Sequence, residues 1–493
     1  MRSPLVSILR RALWTAPEEA PSAKPTRRAF LGALAAAPLL YPQIKTGANA
    51  PRVVIVGGGI AGLCAAWRLK QRGVRATIYE SSSRSGGRMF TAKGVAAPEV
   101  TTELGGEFVD MGHREILRIA KRFRLPLIDT WAKSEKGLHM EAFLLGGEQR
   151  HLKELVAEFR LLSPRLQADA LASGKPGWEK FDGMSIAGYL DSLGLSKGWL
   201  RGALDVAYRT EYGMDVHEQS AMNLLSLLNP KLVNGKIRFF GESDERYKIR
   251  GGNQRVADAV AGEVKDQIRL GMRLEAISQA GDGYTLQFAK DGSGSEEVRA
   301  DVVVMAIPFT ILRNVRMNLE LPAEKKKAIA ELGYGTNMKL FMGFERRLWR
   351  EKGYAGALFT DTDCQLVWDS SRQQATKHGA LTMLMGGEAG VRMGQGAPED
   401  HERRLLPEVE KVWKGLAPLR VGKPGKFHWP SHPHTMGAYS CYKVGQWQAL
   451  KGKEFAPVGK LFFAGEHCSE MAQGYMEGGA ETGLRAAELV FKG

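Results

Sequence analysis

The amino-acid sequence predicts an α/β fold centred on a buried parallel sheet. An apolar run at residues 52–56 leads into a glycine-rich turn and a helix-like stretch, and residues 461–464 lead into a second such turn near the far end. Continuous apolar runs are typical of parallel strands covered on both faces. Glycine-rich turns after such strands predict a ligand at the carboxyl edge of the sheet.

Composition places the chain among ordinary globular proteins. Its 493 residues are 44% apolar and 25% charged, with a formal net charge of +15. These values exclude a disordered, a fibrous or a disulfide-stapled small protein. The length predicts about three domains. The positive charge could attract polyanions, but no nucleic-acid-binding motif accompanies it, so no nucleic-acid partner is predicted.

Neither the cysteines nor a group of three histidines predicts a metal site. No two of the four cysteines form a Cys-x-x-Cys pair, so a zinc ribbon or a redox dithiol is unsupported. His428, His432 and His434 have no acid or cysteine at metal-ligand spacing, and we interpret them as polar residues of a loop.

Residues 1–50 differ from the rest and are similar to an export leader. They contain seven basic and two acidic residues, and a paired arginine at 27–28 precedes an apolar stretch that ends at Leu40. This order predicts a twin-arginine signal, a Tat translocase partner and a periplasmic protein, because the apolar segment is too short to span a bilayer. A chance arginine pair in a disordered tail is the alternative. Residues 48–50 fit a cleavage site but Pro51 would hinder it, so removal and retention of the leader are both open.

A nucleotide-binding turn follows the first apolar run. Gly57, Gly59 and Gly62 form Gly-x-Gly-x-x-Gly, and Glu80 ends a second strand-like run 23 residues after Gly57. In such a unit the glycines allow a tight turn, approach of a pyrophosphate and helix packing, while the acid accepts the ribose hydroxyls. A strand-turn-helix without a ligand is the alternative, and the agreement of four features favours the dinucleotide.

Further motifs resemble those of the flavin-containing amine oxidases. After Glu80 come an arginine four residues on and Gly-Gly-Arg at 86–88, then Glu-Leu-Gly-Gly at 103–106. The stretch 473–483, rich in glycine and running into a final helix, resembles the C-terminal FAD motif of monoamine and polyamine oxidases. The resemblance covers nearly all of residues 51–493.

This resemblance implies a Rossmann-like FAD-binding domain of the glutathione-reductase type, made from separate chain segments, and an α+β substrate domain. The implied segments are 1–50 for the leader, 51–130, 240–312 and 430–493 for the FAD-binding domain, and 131–239 and 313–429 for the substrate domain. It also implies these cofactor-binding residues: Gly57, Gly59, Ile60, Ala61, Gly62, Glu80, Arg84, Gly86, Gly87, Arg88, Gly105, Gly106, Glu107, Glu466, Gly474, Tyr475 and Met476.

The same resemblance implies a reactive face of four residues. Lys339 would hold a water at flavin N5, Tyr442 and Tyr475 would face each other before the flavin, and Trp429 would stand on the same wall. Aromatic faces favour an amine and steer its lone pair. The alternatives are a lysine that reaches the surface and aromatic residues that serve only as core. Cys441 directly precedes Tyr442, where animal monoamine oxidases carry a flavin-linked cysteine, so it is a candidate covalent link. The Gly-Gly pair that precedes this cysteine in the family is Tyr439-Ser440 here, which makes non-covalent binding the preferred alternative.

The implied function is FAD-dependent oxidation of an amine, with hydride passing from the α-carbon to flavin N5. The imine hydrolyses to an aldehyde plus ammonia, and dioxygen becomes hydrogen peroxide. Phe108 stands where many amino-acid oxidases of the family carry a carboxylate-binding arginine, which favours a plain amine. An L-amino-acid oxidase, a flavin desaturase and a non-catalytic flavin protein are the alternatives. No membrane span is expected, and monomer and homodimer are both open.

Overall fold

A five-stranded parallel sheet forms the centre of the computed structural model, which describes residues 51–227, 232–233, 236–237, 243–292 and 294–491. The predicted leader lies outside the described residues. The strands follow the order Ile268–Arg269, Ala76–Tyr79, Val53–Val56, Val302–Met305 and Leu461–Phe463. All four neighbouring pairs are parallel, and Val53–Val56 is buried throughout. This arrangement confirms the predicted Rossmann-like α/β fold.

Two helices from opposite ends of the chain pack together on one face of this sheet. They are Ile60–Gln71 and Met476–Val490. A Cβ added at Gly483 would lie 2.1 Å from the carbonyl oxygen of Ala61, so only glycine permits this close approach. The sequence predicts the first helix from residue 63, but it begins at Ile60, because Gly59 already takes the extended N-cap position.

The remaining sheets are antiparallel or mixed. A four-stranded sheet contains Ser295–Ala300, Gly283–Lys290, Met272–Ala280 and Arg316–Asn318. A seven-stranded sheet contains, in order, Arg420–His428, Met338–Phe344, Gly379–Met385, Leu366–Asp369, Tyr354–Thr360, His139–Leu145 and Glu148–Arg150. Three two-stranded sheets pair Tyr247–Ile249 with Leu127–Asp129, Thr91–Lys93 with Thr101–Glu103, and Leu232–Val233 with Lys236–Ile237.

Helices pack against these sheets. Five of the described helices enclose an apolar core that is separate from the core around the parallel sheet. The helices of that core are Leu152–Ala172, Glu179–Asp182, Ile186–Ser192, Trp199–Tyr212 and Ala221–Leu227. The other helices are Arg114–Arg122, Gln254–Glu263, Phe309–Leu312, Ala323–Glu331, Leu348–Glu351, Gly387–Gly394, Pro398–Glu410 and Gln446–Leu450. Short 3-10 turns are Lys133–Glu135, Lys265–Gln267, Ala417–Leu419 and Glu466–Cys468.

The division into domains stays a prediction. Within the described residues, no helix combines the length and the apolar composition that crossing a bilayer requires.

Candidate active site

The first glycine turn leaves open space where a ligand can approach the backbone. A Cβ at Gly57, whose φ is +104°, would lie 2.6 Å from the carbonyl oxygen of Ala306, and one at Gly62 would lie 1.9 Å from that of Gly57. A Cβ at Gly59 would meet only the Cα of Gly87, at 4.0 Å. Gly57 and Gly62 are therefore required by the fold itself, whereas Gly59 faces open space at the start of a helix.

Glu80 lies at the carboxyl end of its strand, beside this turn. Its Oε2 accepts a hydrogen bond from the Gly58 amide at 2.6 Å, and its Oε1 accepts one from the Ser82 amide at 2.8 Å. The carboxylate is thus fixed between the glycine turn and the loop that follows the strand.

One cavity is lined by residues of both glycine-rich motifs, and it contains about 1340 Å³ of empty space, part of which is open to solvent. Most of the residues expected at the cofactor and on the reactive face line it. They are Gly57, Gly59, Ile60, Ala61, Glu80, Arg84, Gly86, Gly87, Arg88, Gly105, Gly106, Glu107, Lys339, Trp429, Glu466, Gly474, Tyr475 and Met476. Gly62, Tyr442 and Cys441 do not line it, and Gly62 instead packs the helix against the turn.

Both arginines at the cavity are engaged by the protein. Arg84 donates to the carbonyl oxygens of Ser85, Gly87 and Met89, so it holds its own loop together. Burial lowers the pKa of its guanidinium. Arg88 donates to a carboxylate oxygen of Glu466 at 2.8 Å, which links the N-terminal motif to the C-terminal one.

Glu466 organises the C-terminal wall. Besides Arg88, its carboxylate accepts hydrogen bonds from the hydroxyl of Ser440 at 2.7 Å and from the amide of Gly474 at 2.8 Å. Burial alone would raise the pKa of Glu466, but Arg88 and these donors hold it below its ordinary value. The wall therefore carries a charged and fully hydrogen-bonded carboxylate.

The last helix begins at the cavity with Met476. A Cβ added at Gly106 would lie 2.8 Å from Sδ of Met476, so the glycine turn at 105–106 and the helix start are in close contact. A helix start carries roughly half a positive charge, which favours an anion placed near it.

Lys339 is buried at the cavity, with a relative exposure of 1%. Its ammonium donates to the carbonyl oxygens of Glu103 and Gly105, both at 2.9 Å, and to the carboxylate of Glu107 at 3.0 Å. These three acceptors match its three N–H donors. The sequence predicts that Lys339 holds a water, and the protein's own acceptors occupy the donors in this arrangement.

Glu107 lies between two ammonium groups. Its Oε1 accepts a hydrogen bond from Lys248 at 2.5 Å, and its Oε2 accepts the one from Lys339. Burial would raise the pKa of Glu107, but the two lysines lower it. Burial lowers the pKa of Lys339, and Glu107 opposes that shift. The carboxylate of Glu107 therefore stays charged although its side chain is fully buried.

The structure corrects the position of one of the two expected tyrosines. Tyr439 lines the cavity together with Tyr475, whereas the hydroxyl of Tyr442 donates to Glu454 and its ring packs against Trp447 at 5.2 Å. Residues three apart in an extended segment face opposite sides, so only one of the two tyrosines can face the cavity. The hydroxyl of Tyr439 donates to the carbonyl oxygen of Thr210 at 3.0 Å.

Cys441 also faces away from the cavity. Its thiol is fully buried, accepts a hydrogen bond from the side-chain amide of Asn223 at 3.4 Å, and has its pKa raised by burial. The structure does not support Cys441 as a covalent link to a cofactor in the cavity.

Asn253, which is not among the predicted site residues, completes this part of the site. Asn253 ties the wall together, because its amide donates to Glu103 and its side chain donates to the carbonyl oxygens of Gly106 and Glu107. Trp429, which was expected here, donates from Nε1 to the carbonyl oxygen of Leu104 at 3.0 Å. Asn253 follows the Gly-Gly pair at 251–252, and that pair is the signal that could have identified it.

Metal-binding geometry is absent from the described part of the chain, where no three histidine, cysteine, aspartate or glutamate side chains are suitably grouped.

The parallel sheet and the cavity at its glycine turns are those of a dinucleotide-binding protein. Residues 60–491 match the family model described as flavin containing amine oxidoreductase. The chain belongs to that family, and its cofactor is FAD.

Known proteins resemble the chain over most of their length. The flavin-containing amine oxidase of Danio rerio is 24% identical over 90% of this chain and 86% of its own. Cyclohexylamine oxidase from Brevibacterium oxydans IH-35A has a TM-score of 0.78 at 21% identity, covering 90% of this chain and 99% of its own. Putrescine oxidase bound to putrescine has a TM-score of 0.76 at 20% identity, covering 89% and 98%.

Proposed function

We propose that this protein oxidises a plain amine that carries no carboxylate, and that dioxygen is the final electron acceptor. One observation carries the choice of substrate: the cations at the cavity are already paired. Arg84 donates to loop carbonyls, Arg88 is paired with Glu466, and Lys339 with Glu107. A substrate carboxylate would need a cation with free donors.

The cavity fits FAD. The open space at Gly59 admits a pyrophosphate at the start of the helix Ile60–Gln71, and Glu80 stands where ribose hydroxyls would be bound. The start of the last helix at Met476 favours negative charge, as reduced flavin requires. Bound FAD would supply the acceptor for a hydride equivalent from the α-carbon of the amine and would pass the electrons to dioxygen.

The residues of the chain orient the amine and control its protonation. Tyr439 and Tyr475 offer aromatic faces to an alkylamine. Lys248 and Lys339 share the single carboxylate of Glu107, which leaves one net positive charge on this wall. That charge disfavours a second cation nearby, so the neutral form of the amine, which has a lone pair, is favoured. Burial of Lys339 and Glu107 excludes water from that wall.

An L-amino-acid oxidase is the second candidate, because the putative L-amino-acid oxidase YobN of Bacillus subtilis (strain 168) is 23% identical over 88% of this chain. Export through the Tat translocase to the periplasm is also our proposal, and it is supported by the paired arginines at 27–28.

Oxygen uptake and peroxide release test the function directly. Purified holoenzyme is given tyramine, putrescine and a panel of L-amino acids in parallel. We expect turnover of at least one amine and none of the amino acids, with one peroxide formed for each dioxygen consumed. Turnover of L-amino acids alone would refute the choice of a plain amine. Oxygen uptake without peroxide would refute hydrogen peroxide as the product of dioxygen reduction.

A further inference from the structure

Two histidines of the loop at 428–436 line the same cavity as the glycine turn. His432 and His434 stand on the C-terminal side of the cavity, where Glu80, Ser81 and Arg84 form part of the N-terminal side. No motif of the sequence assigns these histidines a role.

A hydrogen bond joins the two sides. Nδ1 of His434 lies 2.9 Å from the hydroxyl of Ser81, and that hydroxyl lies 3.4 Å from Oε1 of Glu80. The other oxygen of Glu80 accepts the Gly58 amide. His434 is thereby connected to the glycine turn through two side chains.

The loop that carries these histidines is fixed to the wall of the cavity. The rings of His432 and Trp429 are 5.4 Å apart, and those of His432 and His434 are 5.5 Å apart. Burial, His434 and Arg84 lower the pKa of His432 to about 4, so this ring is neutral near pH 7. The hydroxyl of Thr310 donates to the carbonyl oxygen of Thr435, which anchors the end of the loop.

We propose that His434 is an FAD-binding residue that holds the adenosine half of the cofactor from the side opposite Glu80. The glycine turn and Glu80 mark the pyrophosphate and ribose end of a dinucleotide site. The hydroxyl of Ser81 has a single proton and donates it to the carboxylate of Glu80, so Nδ1 of His434 donates to the Ser81 oxygen and Nε2 is left with a lone pair that can accept. Among the described residues, no protein group forms a hydrogen bond with Nε2 of His434, so this nitrogen is available to a ligand.

The groups around His434 allow this role near neutral pH. Arg84 and His432 face it from two elements, and Glu80 faces it through Ser81. His432 is neutral there, and Arg84 can only donate hydrogen bonds, so His434 supplies an acceptor that the arginine cannot supply. FAD offers the hydroxyls of its adenosine ribose as donors at this end, whereas FMN lacks the adenosine monophosphate half.

Cofactor binding, rather than activity, tests the proposal. The dissociation constants of FAD and FMN are measured by flavin fluorescence on protein stripped of its cofactor, and FAD release is followed after dilution of the holoenzyme. We expect His434→Ala to raise the dissociation constant of FAD about tenfold, the loss of one ordinary hydrogen bond, and to leave that of FMN unchanged. Ser81→Ala should give a smaller shift in the same direction, because it removes only the anchor.

His217→Ala is the matched control, since this histidine is exposed and does not line the cavity. His434→Gln, whose amide oxygen can still accept a hydrogen bond, should restore part of the affinity, and it guards against a folding defect in the alanine variant. An FAD affinity within twofold of the wild type in His434→Ala, or an equal loss for FAD and FMN, would overturn the proposal. These outcomes do not depend on which amine is oxidised.

Discussion

Glu107 and Lys339 form a buried ion pair across the site, with Oε2 and Nζ 3.0 Å apart. The carboxylate belongs to the segment after the glycine turn at 105–106, and the ammonium belongs to the strand Met338–Phe344. Lys248 binds the other carboxylate oxygen. The pair thus joins the wall that carries the glycine turn to the seven-stranded sheet.

Removing the shared carboxylate should destabilise the protein strongly. Glu107→Gln leaves two buried ammonium groups without a counter-charge, and we expect a loss of about 3–5 kcal/mol in the free energy of unfolding. Glu115→Gln breaks a surface pair with Arg118, whose side chain is 50% exposed, and should cost less than about 1 kcal/mol. Chemical unfolding at saturating FAD measures both, and equal losses would contradict the buried role of Glu107.

Glu103 should make stability depend on pH near neutrality. Burial and the charge of Glu107 raise its pKa to about 7. The folded state binds this proton more tightly than the unfolded state does. The stabilisation that the protonated Glu103 contributes to the free energy of unfolding is therefore present at low pH and is lost as the pH rises through 7. The loss amounts to roughly 3 kcal/mol. Unfolding of wild type and Glu103→Gln between pH 5 and 8 checks this, and parallel curves would refute it.

Two glycines of the first turn should respond differently to an added methyl group. Gly59→Ala places a Cβ in open space, so the folded apoprotein should keep its melting temperature while its FAD content falls at least tenfold. Gly62→Ala places a Cβ 1.9 Å from the carbonyl oxygen of Gly57 and should destabilise the apoprotein itself. Melting curves and flavin absorbance separate these effects. Full FAD content in Gly59→Ala would mean that the cofactor does not approach this residue.

The position of the aromatic pair can be tested with neighbouring tyrosines. Tyr439→Leu should lower kcat/KM for amines about tenfold or more, whereas Tyr439→Phe should retain most of it, because the ring makes the contact. Tyr442→Phe removes the hydroxyl that donates to Glu454 and should lower stability while leaving kcat/KM near the wild-type value. A loss of kcat/KM in Tyr442→Phe together with an unchanged value in Tyr439→Leu would show that Tyr442, and not Tyr439, contacts the substrate.

The attachment of the cofactor follows from the direction of the Cys441 side chain. Since its thiol contacts Asn223 and not the cavity, acid precipitation should release all the FAD into the supernatant. Cys441→Ser should behave in the same way as the wild type. Yellow colour that stays with the precipitated wild type and disappears in the serine variant would establish the covalent link after all.

Local patterns were enough to predict the centre of the fold. The strand at residues 52–56, the glycine turn and Glu80 lie next to one another in sequence, so backbone requirements alone determine their arrangement. The final glycine-rich stretch is assigned to the same site by its resemblance to the C-terminal FAD motif of the family. The parallel sheet explains that placement, because parallel strands present their carboxyl ends at one edge.

Contacts between distant side chains could not be predicted. The pairing of Glu107 with Lys248 and Lys339 requires the register of two separate sheets, which no local pattern encodes. The presence of Tyr439 instead of the expected Tyr442 at the cavity has a simpler cause. Both tyrosines lie within four residues, and which one faces the cavity depends on the extended course of the backbone between bridges at Ser440 and Lys443.

The order of the chain has a consequence for synthesis. The Rossmann-like sheet is completed only by Leu461–Phe463, and the cavity closes with residues 465–479, some four hundred positions after the glycine turn leaves the ribosome. Translation therefore makes the first half of the flavin's binding surface long before the second. A nascent chain halted before residue 461 would have the phosphate-binding turn but no opposing wall, so firm capture of FAD belongs to the last stage of folding.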